Sequence, residues 1–178
     1  MNNRRVVLYI AMSADGYIAR EDDNLDWLSM VERPGEDYGY NEFVAGVDTV
    51  IMGRRTYDKV LSFGVAFPHK GRQCYVWTKS RAGNDENVTF WNSEISELIA
   101  TLKKEPGKDI FIDGGAELVH ALMKGNLIDR YVISVIPCFI GGGIRLFREG
   151  VADIGLKLIN CASYSSGLVQ LCYEPEKK

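Results

Sequence analysis

Three short stretches of the chain carry residues suited to holding phosphate. Ile51-Met52-Gly53-Arg54-Arg55-Thr56-Tyr57 reads as a strand, a glycine and then a helix start. The first backbone N–H groups of a helix have no partner within it, and the helix dipole favours an anion there. Thr56 adds a hydroxyl, and Arg54 and Arg55 add charge-assisted donors. Phe111-Ile112-Asp113-Gly114-Gly115-Ala116-Glu117-Leu118 is a second strand-to-helix turn, where paired glycines admit a phosphate close to the backbone. Val76-Trp77-Thr78-Lys79-Ser80-Arg81 sets two cations and two hydroxyls just past a strand end. That suits a monophosphate, such as the 2′-phosphate that separates NADP from NAD. Each stretch alone also reads as an ordinary cap, turn or basic loop. Ligands of open α/β sheets bind at the carboxyl ends of parallel strands, and all three turns follow strands there. The glycine-rich Gly141-Gly142-Gly143 is not the usual dinucleotide fingerprint, since Leu146 stands where its third spaced glycine would be.

The elements that must position these turns alternate along the chain. Strands are expected over 5–11, 49–52, 73–77, 88–91, 109–113 and 130–136. Helices are expected over 37–46, about 56–61, from a Ser93 cap to Pro106, and 116–124. The last two strands, 156–162 and 168–174, have no helix between them and should pair antiparallel. The reading is a single α/β domain over 1–178, a mostly parallel sheet closed by an antiparallel hairpin. With 178 residues, 46% of them hydrophobic and 25% charged, the chain is an ordinary globular protein. A net charge of -3 argues against a nucleic-acid surface. The short apolar runs exclude a membrane-spanning helix, and the N-terminus shows no signal peptide, so the expected location is cytoplasmic. Four cysteines without a CxxC pair, and only two histidines, argue against a metal site. Cys161 and Cys172 fall opposite each other about Ser166-Gly167 and are expected as reduced core thiols.

Met52-Gly53-Arg54-Arg55-Thr56-Tyr57, Val76-Trp77-Thr78-Lys79-Ser80 and Ile112-Asp113-Gly114-Gly115-Ala116 together resemble the cofactor motifs of dihydrofolate reductases. Ala11-Met12-Ser13-Ala14-Asp15-Gly16-Tyr17-Ile18-Ala19, with Ile136-Pro137, Gly141-Gly142-Gly143 and Leu146-Phe147, is closer to a sister branch. That branch is the reductase domain of bifunctional riboflavin-biosynthesis proteins and its stand-alone relatives. The resemblance runs over about residues 4 to 174. It implies a three-layer α-β-α dihydrofolate-reductase-like fold, bound NADPH, a small heterocyclic substrate and a homodimer. It places Gly53, Arg54, Arg55, Thr56, Thr78, Lys79, Ser80, Gly114, Gly115, Ala116 and Glu117 on the cofactor, and Ala11, Ile18 and Ala19 beside the nicotinamide.

Three positions depart from the resembled families. Gly39 stands about where dihydrofolate reductases carry an acidic residue, with Asp37 and Glu42 nearby but out of register. Tyr9 replaces the lysine, and Asp113 the glutamate, usual in riboflavin-type reductases. Hydride transfer to a riboflavin-type substrate adds hydride at the ribose carbon next to the pyrimidine amine, and a proton must balance it. Asp15, in the loop that the resemblance lays across the nicotinamide, and Asp113 are the candidate acids. Tyr9, Asp37 and Phe43 are the candidate substrate contacts. Tyr9, Tyr17, Trp27, Tyr40, Phe43 and Tyr57 are the aromatics available to line a flat slot, of which one or two should do so. His69 and His120 read as structural. The leading reading is an NADPH-dependent reductase of a pyrimidine- or pteridine-type compound. A nucleotide-binding protein without turnover and an interaction protein that keeps only the fold compete with it.

Overall fold

The structure, a computed structural model, describes residues 4–176. Met1, Asn2 and Asn3, part of the stretch read above for a signal peptide, lie outside the described residues. In chain order the elements are β1 (Val6–Ser13), β2 (Tyr17–Ala19), a 3-10 turn (Asp26–Val31), α1 (Tyr40–Ala45), β3 (Val47–Gly53), α2 (Arg54–Ser62), β4 (Gln73–Trp77), β5 (Gly83–Asn84) and β6 (Thr89–Trp91). There follow α3 (Ile95–Lys104), β7 (Asp109–Gly114), α4 (Ala116–Lys124), β8 (Arg130–Ile136), β9 (Ile144–Arg145), β10 (Leu156–Ser163) and β11 (Val169–Pro175). No helix among the described residues is long and apolar enough to cross a membrane.

Nine strands form one sheet in the order β10-β11-β8-β1-β7-β3-β4-β6-β5. The six strands from β8 to β6 run parallel. β11 and β10 add the expected antiparallel hairpin at one edge, and β5 turns back along β6 at the other. The central strands read as continuous apolar runs because both faces are covered. Successive side chains of β7 go to opposite sides: Ile110 and Ile112 pack with α3 and α4, while Phe111 packs with Met52, Tyr57 and Val76. The three-layer α-β-α arrangement of the dihydrofolate-reductase-like fold follows. A two-stranded ribbon of β2 and β9 sits apart from the main sheet.

Three local expectations are corrected. The helix expected over 37–46 forms only at Tyr40–Ala45, because Asp37 accepts the amides of Gly39 and Asn41 and caps it instead of entering it. Ser93 does not cap α3; the boundary residue is Glu94, and the Ser93 carbonyl accepts the Trp77 indole N–H at 3.1 Å. Cys161 and Cys172 are free thiols, as expected, but a bulge after Leu158 sets Cys172 against Asn160, and Cys161 is exposed rather than in the core. The cause is that β10 is an edge strand, exposed at every residue but Ala162.

Candidate active site

The order β7-β3-β4 makes the strands ahead of the three phosphate-suited turns immediate neighbours, all parallel. Their carboxyl ends therefore open side by side. A cavity of about 560 Å³ lies over them. It is lined from the turns by Gly53, Arg54, Arg55 and Thr56, by Trp77, Thr78 and Lys79, and by Asp113, Gly115, Ala116 and Glu117.

The backbones at the first two turns approach closely. A Cβ on Gly53 would lie 3.3 Å from the Gly115 nitrogen, and one on Gly115 would lie 3.3 Å from Thr56 Oγ1. Gly114 has φ 97, a conformation that side-chain-bearing residues rarely adopt. Gly53 and Gly115 cap α2 and α4 without a side-chain hydrogen bond, so the leading amides of both helices are left for a ligand. Arg54 pairs with Asp58 at 2.8 Å and Arg55 with Asp23 at 2.8 Å, both in exposed positions where a phosphate can exchange for the carboxylate. Lys79 enters no ion pair among the described residues. Thr78 is buried and accepts the Ser80 amide through its hydroxyl. Arg81 instead lies on the ring of Phe90, 3.8 Å from its centre. Ser80 and Gly114 adjoin the lining without forming it.

A further part of the wall is built by β1 and the β2–β9 ribbon, which bring Ala11, Ile18 and Ala19 to the cavity. Gly143 explains part of the triple glycine. Its φ is 133, and a Cβ there would fall 2.2 Å from the Ala19 carbonyl oxygen, so only glycine lets the ribbon close. Asp15 lies outside the lining. Its carboxylate accepts the Ser13 hydroxyl and the amides of Gly141 and Ile140, at 2.8 and 3.3 Å, tying the β1–β2 turn to the glycine loop. The Ser13 hydroxyl, with those amides, holds its carboxyl below the usual carboxylate range.

The lining also includes an apolar and aromatic set: Leu25, Leu28, Val60, Phe63, Tyr9, Tyr40 and Phe111. Of the six aromatics read from the sequence, Tyr9 and Tyr40 line the cavity. Phe43 is stacked beneath Tyr9 at 4.5 Å and supports it from outside the lining. Tyr9 is committed by its hydroxyl, which donates to the Tyr38 carbonyl and accepts from Gln170. The Tyr40 hydroxyl has no such partner among the described residues, and burial, with the nearby Asp113, pushes its pKa up to about 12, so it is a neutral donor. Asp37, exposed and occupied with its cap, does not reach the cavity. Asp113 does, and its Oδ2 lies 3.1 Å from His69 Nε2. Leu25, Leu28, Val60, Phe63 and Arg148 were not foreseen, since they converge from elements distant in sequence.

A mostly parallel sheet whose adjacent carboxyl ends carry two uncapped helices and a basic hydroxyl loop defines an α/β protein of the dihydrofolate-reductase-like fold with a cleft at those ends. The RibD C-terminal domain family matches residues 4–170, and the chain belongs to that family of riboflavin-type reductases. It is 46% identical over 96% of its length to the uncharacterised protein YwjB of Bacillus subtilis, covering 97% of that protein. Among solved structures it is similar to a protein of Shewanella sp. PV-4 whose name points to riboflavin biosynthesis, at 30% identity and TM-score 0.89, over 99% of this chain and 100% of that one. It shares its fold with the diaminohydroxyphosphoribosylaminopyrimidine deaminase/5-amino-6-(5-phosphoribosylamino)uracil reductase of Thermotoga maritima (16% identity, TM-score 0.73, 98% of this chain and 57% of that one). It also shares it with dihydrofolate reductase from Enterococcus faecalis complexed with NADP(H), at 16% identity and TM-score 0.67 over 97% of each chain.

Proposed function

We propose that the protein is an NADPH-dependent reductase that delivers hydride to a small pyrimidine- or pteridine-type heterocycle. The most concrete candidate is a riboflavin-type 5-amino-6-(5-phosphoribosylamino)uracil. The single observation that carries the reading is the convergence of the three phosphate-suited turns on one cavity whose lining also includes an apolar and aromatic set. NADPH, when bound, supplies the hydride. The close backbones of Gly53, Gly115 and Ala116, with Thr56, fit its pyrophosphate. Arg54, Thr78, Lys79 and Ser80 fit the 2′-phosphate, and Arg55, Gly114 and Glu117 complete the cradle. Ala11, Ile18 and Ala19 bound the nicotinamide and exclude water from it.

The substrate ring lies against Tyr9 and Tyr40, with Phe43 holding Tyr9 in place. Asp113 and the Tyr40 hydroxyl are the polar groups there, and Asp113 is the group best placed to hold or move the balancing proton. Asp15 acts one step removed, by fixing the loop beside the nicotinamide, and Asp37 by shaping the start of α1. The apolar outer face of β10, with Leu156, Leu158 and Ile159 at 42, 51 and 43% exposure, is the surface assigned to a homodimer.

Titration with NADPH and NADH, following quenching of Trp77 in the cavity wall, tests the cofactor assignment. The expected result is a preference for NADPH that Lys79→Ala abolishes. Absence of binding by either nucleotide overturns the proposal.

A further inference from the structure

We infer that His69 is a positioning residue for Asp113: its Nε2–H holds one carboxylate oxygen and leaves the other as acceptor for an N–H edge of the substrate ring. This rests on the cavity being the hydride-transfer site, and it adds the kind of group the substrate presents there.

His69 lies in the loop between α2 and β4, and its side chain is only 3% exposed. The ring sits edge-on between Phe67 and Phe111, with centroids 5.6 and 5.7 Å away. Its backbone is fixed as well, since the His69 carbonyl accepts the Arg72 amide at 3.0 Å and the Cys74 thiol at 3.7 Å. Nε2 lies 3.1 Å from Asp113 Oδ2, while Nδ1 is buried with no hydrogen-bond partner among the described residues. That asymmetry selects a tautomer. A proton on Nδ1 alone would bury an unpaired donor and set the Nε2 lone pair against a carboxylate. A proton on Nε2 pairs the donor and leaves only an acceptor unmatched.

Asp113 is shared between this buried ring and the cavity. Its side chain is 24% exposed, it lines the cavity, and Oδ1 has no hydrogen bond among the described residues. Rotation about its side-chain bonds would break the bond to His69, so the imidazole fixes the direction in which Oδ1 points. The surrounding wall includes Tyr9, Phe111 and aliphatic side chains, and the neutral Tyr40 hydroxyl lies near enough to feel the carboxylate. An oriented acceptor next to a neutral donor, between aromatic faces, matches an aminopyrimidine edge, where amino N–H groups flank a ring nitrogen.

The first experiment uses the free protein. Two-bond 15N–1H couplings of the imidazoles at neutral pH are recorded, with His120→Gln to assign the two histidines. The expected pattern shows the proton on Nε2 of His69, and Asp113→Leu shifts the His69 signals while leaving those of His120 in place. A proton on Nδ1 with Nε2 bare, or no response to Asp113→Leu, overturns the pairing.

The second uses the NADPH-loaded protein and 2,4-diaminopyrimidine as probe. The wild type binds it. His69→Leu weakens binding at least tenfold, and His69→Gln, whose amide nitrogen replaces Nε2, stays within threefold of wild type. NADPH affinity is unchanged in both variants, which shows that they are folded. Equal probe binding by His69→Leu, a Gln variant that behaves like Leu, or no probe binding by the wild type overturns the inference. Failure of NADPH to bind at all overturns the proposed function instead, and the imidazole couplings then judge the pair alone.

Discussion

The two edges of the central sheet treat polar groups in opposite ways. At the amino edge they are paired to completion. Arg4 is buried, and its guanidinium donates to Asp48, to Thr49 Oγ1 and to the carbonyls of Leu102 and Lys108. Beside it, Arg5 forks onto Asp109, and Asp129 accepts both the Val6 amide and Lys103. At the carboxyl edge, among the described residues, the helix amides of α2 and α4 lack side-chain caps, the Tyr40 hydroxyl has no hydrogen-bond partner, and one oxygen of Asp113 accepts no hydrogen bond. A fold gains stability by satisfying buried polar groups, and it binds ligands with groups left unsatisfied. The comparison assigns stability to one edge and recognition to the other.

Breaking the amino edge should have the largest effect. Arg4→Met removes four hydrogen bonds and the buried cation that pairs with Asp48, and urea unfolding should show a loss of about 3 kcal/mol. The remaining folded protein should still bind NADPH with affinity within twofold of wild type. A matching loss of nucleotide affinity would mean that the edges are coupled.

Gly143→Ala tests the ribbon that walls the cavity. The clash with the Ala19 carbonyl and the positive φ should cost about 2 kcal/mol in the same assay. Because the ribbon carries Ile18 and Ala19, NADPH binding should weaken as well. Loss of stability alone would separate the ribbon from the site.

The double variant Arg54→Ala, Lys79→Ala should leave stability within about 0.5 kcal/mol, since both side chains are exposed. It should weaken NADPH roughly tenfold or more, with a smaller effect on NADH, as isothermal titration would report. A drop in melting temperature with no change in affinity would reverse the assignment.

The smallest effect concerns Asp15. Its folded-state pKa lies below the ordinary 3.8, so it contributes stability above that pH and loses it as pH falls through the lower folded value. Asp15→Asn should flatten the acid side of the melting curve below about pH 4 and leave the neutral region nearly unchanged. An altered NADPH affinity at neutral pH would show that its loop tie reaches the nicotinamide wall.

Much of this was legible in the chain. Runs such as Val6-Val7-Leu8 and Ile110-Phe111-Ile112 mark strands buried on both faces, and a hairpin without an intervening helix must be antiparallel. The turns at Gly53, Thr78 and Gly114-Gly115 announce themselves because backbone chemistry at a strand-to-helix junction is local. Their residues reached the cavity, apart from Ser80 and Gly114 at its margin.

Contacts between distant elements were not legible. Asp15 and Asp37 are carboxylates in turn-rich sequence, and nothing local tells whether such a group faces a ligand or caps its own loop. Packing turned Asp15 toward Gly141 and Asp37 toward Gly39. His69 follows Pro68 in an unremarkable loop, and only the fold carries it to Asp113, 44 residues on. Sequence by itself determined the strands, the helices and the phosphate-suited turns, because these depend on periodicity and backbone geometry within a few residues. The strand order β7-β3-β4, the aromatic part of the cavity lining and the His69–Asp113 pair were decided by tertiary structure alone, because they come from side chains meeting across the sheet.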